Sequence, residues 1–205
     1  MSVKQKGFFD KFLTLDCETT GMAIGSSDPS YDYKSKKCYQ AISWGFVVVD
    51  TATLKPIDKL YVEFQWDGVS TWTPEAEAVH KLSKQYLAEN GVNEIEGIET
   101  ILSFLEHHFG DLTEVNIVCA GHNVASFDIW FLRRLLNKHD VMFRVSHRFI
   151  DTNALGFAVF NTYTSDQVFE MMGVQRLSHH NALDDALASL KVIQVARKIG
   201  SKVLG

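Results

Sequence analysis

The chain has little proline, little cysteine and no excess of positive charge. Only 3 prolines and 13 glycines occur in 205 residues, and no stretch is a polar low-complexity tract. That combination excludes a disordered or collagen-like polymer. Cys17, Cys38 and Cys119 are odd in number, far apart and form no Cys-x-x-Cys pair, so neither a disulfide framework nor a zinc or redox motif of that kind is available. Apolar runs such as residues 46–49 fall far short of the roughly 18 to 20 residues of a membrane span. Near the N-terminus, Asp10 and Lys11 interrupt the apolar stretch 8–15 behind Lys4 and Lys6, which a signal peptide does not tolerate. A cytoplasmic protein with reduced thiols and no membrane contact is expected. With 20 basic and 25 acidic residues the net charge is −5, which at first weighs against a polyanionic partner.

What is present describes one domain over residues 1–205, since a chain of this length with 46% hydrophobic and 22% charged residues buries a sizeable core. Apolar patterning predicts strands over 12–19, 42–50 and 59–66 with short connections, as in an antiparallel meander. Thr73 as N-cap, Pro74 and the acids Glu75 and Glu77 open a helical region that Asn90-Gly91 ends. Three- and four-residue steps from Ile95 to Phe109 predict a helix stopping at Gly110. Residues 115–120 read as a strand buried on both faces, and a helix over 126–138 follows. A strand over 144–150 comes next, then short helices over 154–160 and 166–172, the second capped by Ser165 and Gly173, and a last helix over 182–199. This order fits an α/β fold: a mixed β-sheet, meander plus parallel strands, with helices on both faces. An insertion loop over 22–40 mixes turn formers with Tyr31, Tyr33, Tyr39, Lys34, Lys36 and Lys37, a composition suited to a binding loop.

Asp16 and Glu18 lie two apart in the first strand, so its period sends both carboxylates to one face and Cys17 to the other. Paired like charges are unfavourable without a cation, and hard oxygen ligands suit Mg²⁺ or Mn²⁺. The pair alone also fits a strand end with two solvated acids. Thr19-Thr20-Gly21 follow, small enough to let backbone amides approach a ligand. Asp128 sits in the first turn of its helix, where an acid also simply complements the dipole. Asp184 and Asp185 are adjacent on a helix with an apolar stripe, so one of them faces the sheet.

Leu15-Asp16-Cys17-Glu18-Thr19-Thr20-Gly21, Gly121-His122-Asn123-Val124-Ala125-Ser126-Phe127-Asp128 and His180-Asn181-Ala182-Leu183-Asp184-Asp185-Ala186 resemble, in order, the three motifs of the DnaQ-like DEDD 3′–5′ exonucleases of the RNase H-like superfamily. Pro74-Glu75-Ala76-Glu77-Ala78-Val79-His80 and Ile150-Asp151-Thr152 resemble lesser segments of the same family. His180 stands five residues before Asp185, the spacing of the DEDDh subtype, which marks Asp185 rather than Asp184 as the acid of the third motif. Where members often carry Gly after the His of the minor motif, this chain has Lys81.

The resemblance implies an RNase H-like fold and a two-metal hydrolase using two Mg²⁺, with Mn²⁺ able to substitute. In that reading Asp16 bridges the ions, Glu18 and Asp185 complete one site, Asp128 supports the other, and His180 takes the proton from the attacking water. Substrate contacts are implied for Thr19, Thr20, Gly21, His80, Asn123 and Phe127. Without the four acids the charge is −1, so phosphate attraction is local, from metals and cations such as Lys81, Arg133, Arg134 and the loop lysines. Phe127, Trp44 and the loop tyrosines are candidates for stacking on terminal bases. The expected activity is removal of nucleoside 5′-monophosphates from 3′ ends of single-stranded DNA, as in proofreading beside a DNA polymerase. The alternatives are an RNA-trimming enzyme of the RNase T or oligoribonuclease type, an inactive binding module, and a phosphoesterase of small molecules.

Overall fold

The computed structural model describes residues 9–22, 38–175 and 180–204. Expectations placed on Lys4, Lys6, Tyr31, Tyr33, Lys34, Lys36 and Lys37 lie outside the described residues. Strands β1 (Lys11–Thr19), β2 (Ala41–Asp50) and β3 (Pro56–Glu63) form the antiparallel meander. Strands β4 (Ile117–Gly121) and β5 (Val145–Asp151) join it in parallel, giving the order β3-β2-β1-β4-β5 with β1 at the centre. The helices are α1 (Pro74–His80), α2 (Lys84–Asn90), α3 (Glu94–Phe109), α4 (Asp128–Lys138), α5 (Thr152–Phe160), α6 (Ser165–Met171) and α7 (Ala182–Leu204). Among the described residues no helix is long and apolar enough to cross a membrane.

Three local differences from the sequence reading have physical causes. Strand β3 starts and stops three residues early, because Pro56 opens an edge strand where its missing N–H forfeits no ladder bond. Phe64, beyond the end of β3, keeps its N–H on the Ile42 carbonyl of β2 at 2.8 Å and adds a parallel bridge with Val92. The helical region ending at Asn90 is two helices. Lys81 adopts a left-handed φ of 63°, the Leu82 N–H donates to His80 Nδ1, and Ser83 caps the second helix through the Tyr86 N–H. Neither Gly nor Pro marks that break, so composition conceals it. Finally, Ser165 is the first residue of α6 rather than its cap, a position held by Thr164.

The sheet is covered on both faces. Leu13, Leu15 and Cys17 of β1 pack toward Ile98, Ile101 and Leu105 of α3 and Leu132 and Leu136 of α4. Phe12 of β1 and Val47 and Val49 of β2 pack on the opposite face against Ala186, Leu190 and Ile193 of α7. Helix α7 approaches β2 so closely that a Cβ on Gly45 would lie 2.3 Å from the Ala182 backbone. Gly45 faces Asp16 across the ladder, so the absence of a side chain there lets the start of α7 settle over the end of β1.

Candidate active site

The central strand supplies the first two acids. Asp16 and Glu18 pair with Gly45 and Ser43 of β2, while the alternate residues Leu15 and Cys17 point into the core on the α3 and α4 side. Helix α7 brings the third. Asn181 Oδ1 accepts from the Leu183 and Asp184 N–H groups at 3.1 and 3.2 Å, and its carbonyl accepts from the Asp185 N–H at 2.9 Å. Asp185, at 8% exposure, turns inward, whereas Asp184 is half-buried. His180 precedes the cap with a φ of 57°, a left-handed conformation that His adopts more readily than most residues but still at some strain. One ligand atom from each of Glu18, His180 and Asp185 lies within 4.8 Å of the others. The two carboxylates at that separation fit a shared divalent cation with the imidazole beside it, and Asp16 lines the same cleft.

Asp128 is placed differently. It opens α4 behind β1, and its Oδ1 accepts the Cys17 N–H at 2.9 Å. At 1% exposure it is the most buried of the four acids and is not part of the cleft lining. Burial pushes its carboxyl up to about 7, partly offset by its hydrogen bonds with Cys17. The Cys17 thiol is pushed up as well, first by burial and then by the surrounding Asp128, Asp16 and Glu18 charges. It is therefore no thiolate nucleophile.

The cleft holds about 530 Å³. Helix α1 contributes Ala76, Val79 and His80, the turn after β4 contributes His122 and Phe127, and α6 contributes Ser165 and Phe169. Among the described residues lining it, none is Lys or Arg. Helix α1 is held there by the end of β1, because the Thr20 carbonyl accepts from the Thr73 N–H at 2.9 Å and from Thr73 Oγ1 at 3.1 Å.

Of the residues for which substrate contact was expected, Thr19, His80 and Phe127 line the cleft, and Thr20, Gly21 and Asn123 do not. The Thr20 hydroxyl is engaged in structure, donating to the Thr71 carbonyl at 2.6 Å and accepting from the Gln40 N–H at 3.0 Å. Gly21 is pressed against Tyr39, whose ring a Cβ would meet at 2.1 Å. Asn123 takes a left-handed φ of 57° in the turn after β4, and its N–H donates to Asp151 Oδ1. Trp44 is corrected outright: at 0% exposure it stacks on Phe46 in the core, out of reach of any base.

Two histidines shape the walls. His80 is 5% exposed; its Nδ1 accepts from the Leu82 N–H, which places the proton on Nε2, and that donor has no partner among the described residues. Burial, reinforced by His180 and opposed by Glu77, holds its pKa down to about 4. His122 was not singled out as a site residue. Its Nε2 lies 3.0 Å from the Tyr163 carbonyl and its Nδ1 3.0 Å from Thr152 Oγ1, and burial lowers its pKa. Its position directly after a buried strand, within Gly121-His122-Asn123, was the available signal. Ser165 and Phe169 carried none.

The RNase_T exonuclease family model matches residues 13–193. The DNA polymerase III PolC-type proteins of Thermotoga petrophila and Thermotoga maritima are each 29% identical over 201 residues, covering 92% of this chain and 12% of theirs. The chain thus spans about an eighth of those polymerases. Among solved structures, a zinc-bound E. coli exonuclease I complex with single-stranded DNA superposes with a TM-score of 0.74 at 13% identity, over 96% of this chain and 42% of that one. The nuclease domain of 3′hExo, a DEDDh family member bound to rAMP, superposes with a TM-score of 0.68 at 10% identity, over 95% and 94%. Both show the same fold as this chain.

Proposed function

The chain belongs to the RNase T exonuclease family, and from that membership we propose that it removes nucleoside 5′-monophosphates from the 3′ ends of single-stranded DNA, using two Mg²⁺ or Mn²⁺ ions. The observation that carries this reading is the convergence within 4.8 Å of Glu18 on β1, His180 in the turn before α7 and Asp185 on α7, beside Asp16 in one cleft. Asp16, Glu18 and Asp185 would hold the ions, and Asp128, bonded to the Cys17 N–H of β1, would support the second. When bound, the ions supply Lewis-acid activation of water and neutralise charge on the leaving 3′ oxygen. His180 accepts the proton of the attacking water, and its left-handed backbone keeps the imidazole at the rim instead of on the helix axis. Thr19, His80 and Phe127 border the terminal nucleotide, with the unpartnered His80 Nε2–H as a donor toward it.

The preference for DNA and a proofreading role beside a polymerase are supported by the PolC-type relatives, which align over nearly all of this chain. The rAMP-bound neighbour favours RNA as the second reading. The test is degradation of matched 5′-labelled DNA and RNA oligomers with Mg²⁺, Mn²⁺ or EDTA. Metal-dependent ladders shortening from the 3′ end, faster on DNA, are expected. Equal degradation in EDTA refutes the metal mechanism, and faster loss of RNA replaces the substrate assignment.

A further inference from the structure

The outer side of α1, turned away from the cleft, carries two indoles outside the hydrophobic core clusters of the described residues. Trp72 Nε1 donates to Glu77 Oε2 at 2.7 Å, and Trp66 Nε1 donates to the Ser70 carbonyl at 3.0 Å. Ser70 is in turn pinned by Asp67, which accepts its N–H at 2.7 Å and its hydroxyl at 2.8 Å. The rings meet edge to face at 6.2 Å, and Lys84 Nζ lies 3.6 Å from the Trp66 centroid and 5.3 Å from that of Trp72. Lys81 borders the shallow depression beside Trp72.

We propose that Trp72, flanked by Trp66, Lys81 and Lys84, is a stacking subsite for a nucleotide upstream of the scissile phosphate on a single strand whose 3′ end occupies the cleft. The inference rests on the exonuclease reading and extends it to the path of the substrate. Three observations carry it. First, the site adjoins the cleft: the ring of His80, which lines the cleft, abuts Trp72 edge-on at 5.9 Å, so one ring separates the two. Second, the described cleft lining offers no Lys or Arg, whereas Lys81 at the end of α1 and Lys84 at the start of α2 are exposed beside the indoles. Rigid aromatic faces next to cations are the chemistry that holds single strands without reading sequence. Third, both indole N–H groups are already bonded to fixed acceptors, so stacking on these rings freezes little additional side-chain freedom. Glu77, the acid within the cluster, is engaged by Trp72. An arriving base takes the indole face, and the Lys84 ammonium, now resting on Trp66, turns to the adjoining phosphate.

The experiment compares oligothymidylates of two and six nucleotides. Binding is read by quenching of tryptophan fluorescence in EDTA, and KM is read in Mg²⁺. The six-nucleotide strand should bind more tightly than the dinucleotide to the unaltered protein. Trp72→Ala should weaken the longer strand about 10-fold and leave the dinucleotide unchanged, with Trp72→Phe restoring most of the loss. Lys84→Ala, an exposed change that does not threaten folding, should produce a smaller loss of the same length dependence. Identical length dependence in Trp72→Ala, Lys84→Ala and the unaltered protein overturns the subsite. Failure to cleave any oligomer, with quenching that still depends on Trp72 and on length, removes the exonuclease reading and keeps the subsite.

Discussion

The two sides of β1 handle the same residue type in opposite ways. On the α7 side, Glu18 and Asp185 open onto a cleft with an imidazole beside them, within 4.8 Å of one another. On the α4 side, Asp128 is sealed behind the strand, bonded to the Cys17 N–H and held near neutrality by burial. Carboxylates on the open side have water and an external cation to offset their mutual repulsion. The carboxyl on the closed side has hydrogen bonds from Cys17 and from its own N–H and, failing a cation, its own proton. The acids that line the cleft and the one sealed from it thus sit in different electrostatic surroundings.

The comparison breaks most visibly on the open side. Glu18→Gln or Asp185→Asn, which keep shape and remove charge, should lower kcat about 10³-fold or more, the scale of several kcal/mol of charge stabilisation. Single-turnover kinetics with circular dichroism for the fold checks this. His180→Ala should lower kcat by about 10²- to 10⁴-fold, as for loss of a general base, with divalent-ion affinity measured in parallel to separate proton transfer from metal holding.

Gly45→Ala tests how the two sides are kept in register. The new Cβ meets the Ala182 backbone at 2.3 Å, and overpacking of this kind costs about 1–3 kcal/mol. A fall in Tm of about 2–10 °C is expected, with turnover falling further than stability because α7 carries Asp185 and the turn just before it carries His180. Unchanged turnover in a Gly45→Ala protein of lowered Tm would show that the position of α7 does not govern the site.

The smallest effect sharpens the closed side. Without metal, folded Asp128 binds its proton more tightly than the unfolded chain does between 3.8 and about 7. Stability should therefore fall as pH rises through that window and level off above it. Asp128→Asn should flatten that slope in Tm measured with EDTA, and Mg²⁺ should restore stability at high pH only in the unaltered protein. His80 acts in the other direction: its lowered pKa gives stability that is present above 6.5 and lost as pH falls toward about 4.

Much of this was legible in the chain. The spacing of Asp16 and Glu18 required a strand with two acids on one face, and the apolar stripe of α7 required one of Asp184 and Asp185 to turn inward. The meander and the helices on both faces followed from periodicity. What stayed hidden depends on tertiary neighbours. Thr20 and Gly21 look like a ligand cradle, yet their positions are set by Thr71, Gln40 and Tyr39. Trp44 looks available for stacking until β2 is seen to be buried on both faces. The break at Lys81 uses a left-handed lysine, which composition does not announce. The burial of Asp128 cannot be read from its place in a first helical turn, where solvated acids are equally at home.

The strand order has a further consequence for how the molecule comes apart. Because β1 lies between β2 and β4, Leu13 and Thr14 are paired on both sides, whereas β3 and β5 each have an unpaired edge among the described residues. Amide exchange should accordingly be slowest around Leu13 and Thr14 and faster at the outer strands. Gentle heating would then loosen the outer strands first, while the pairing of β1 at the middle of the sheet persists.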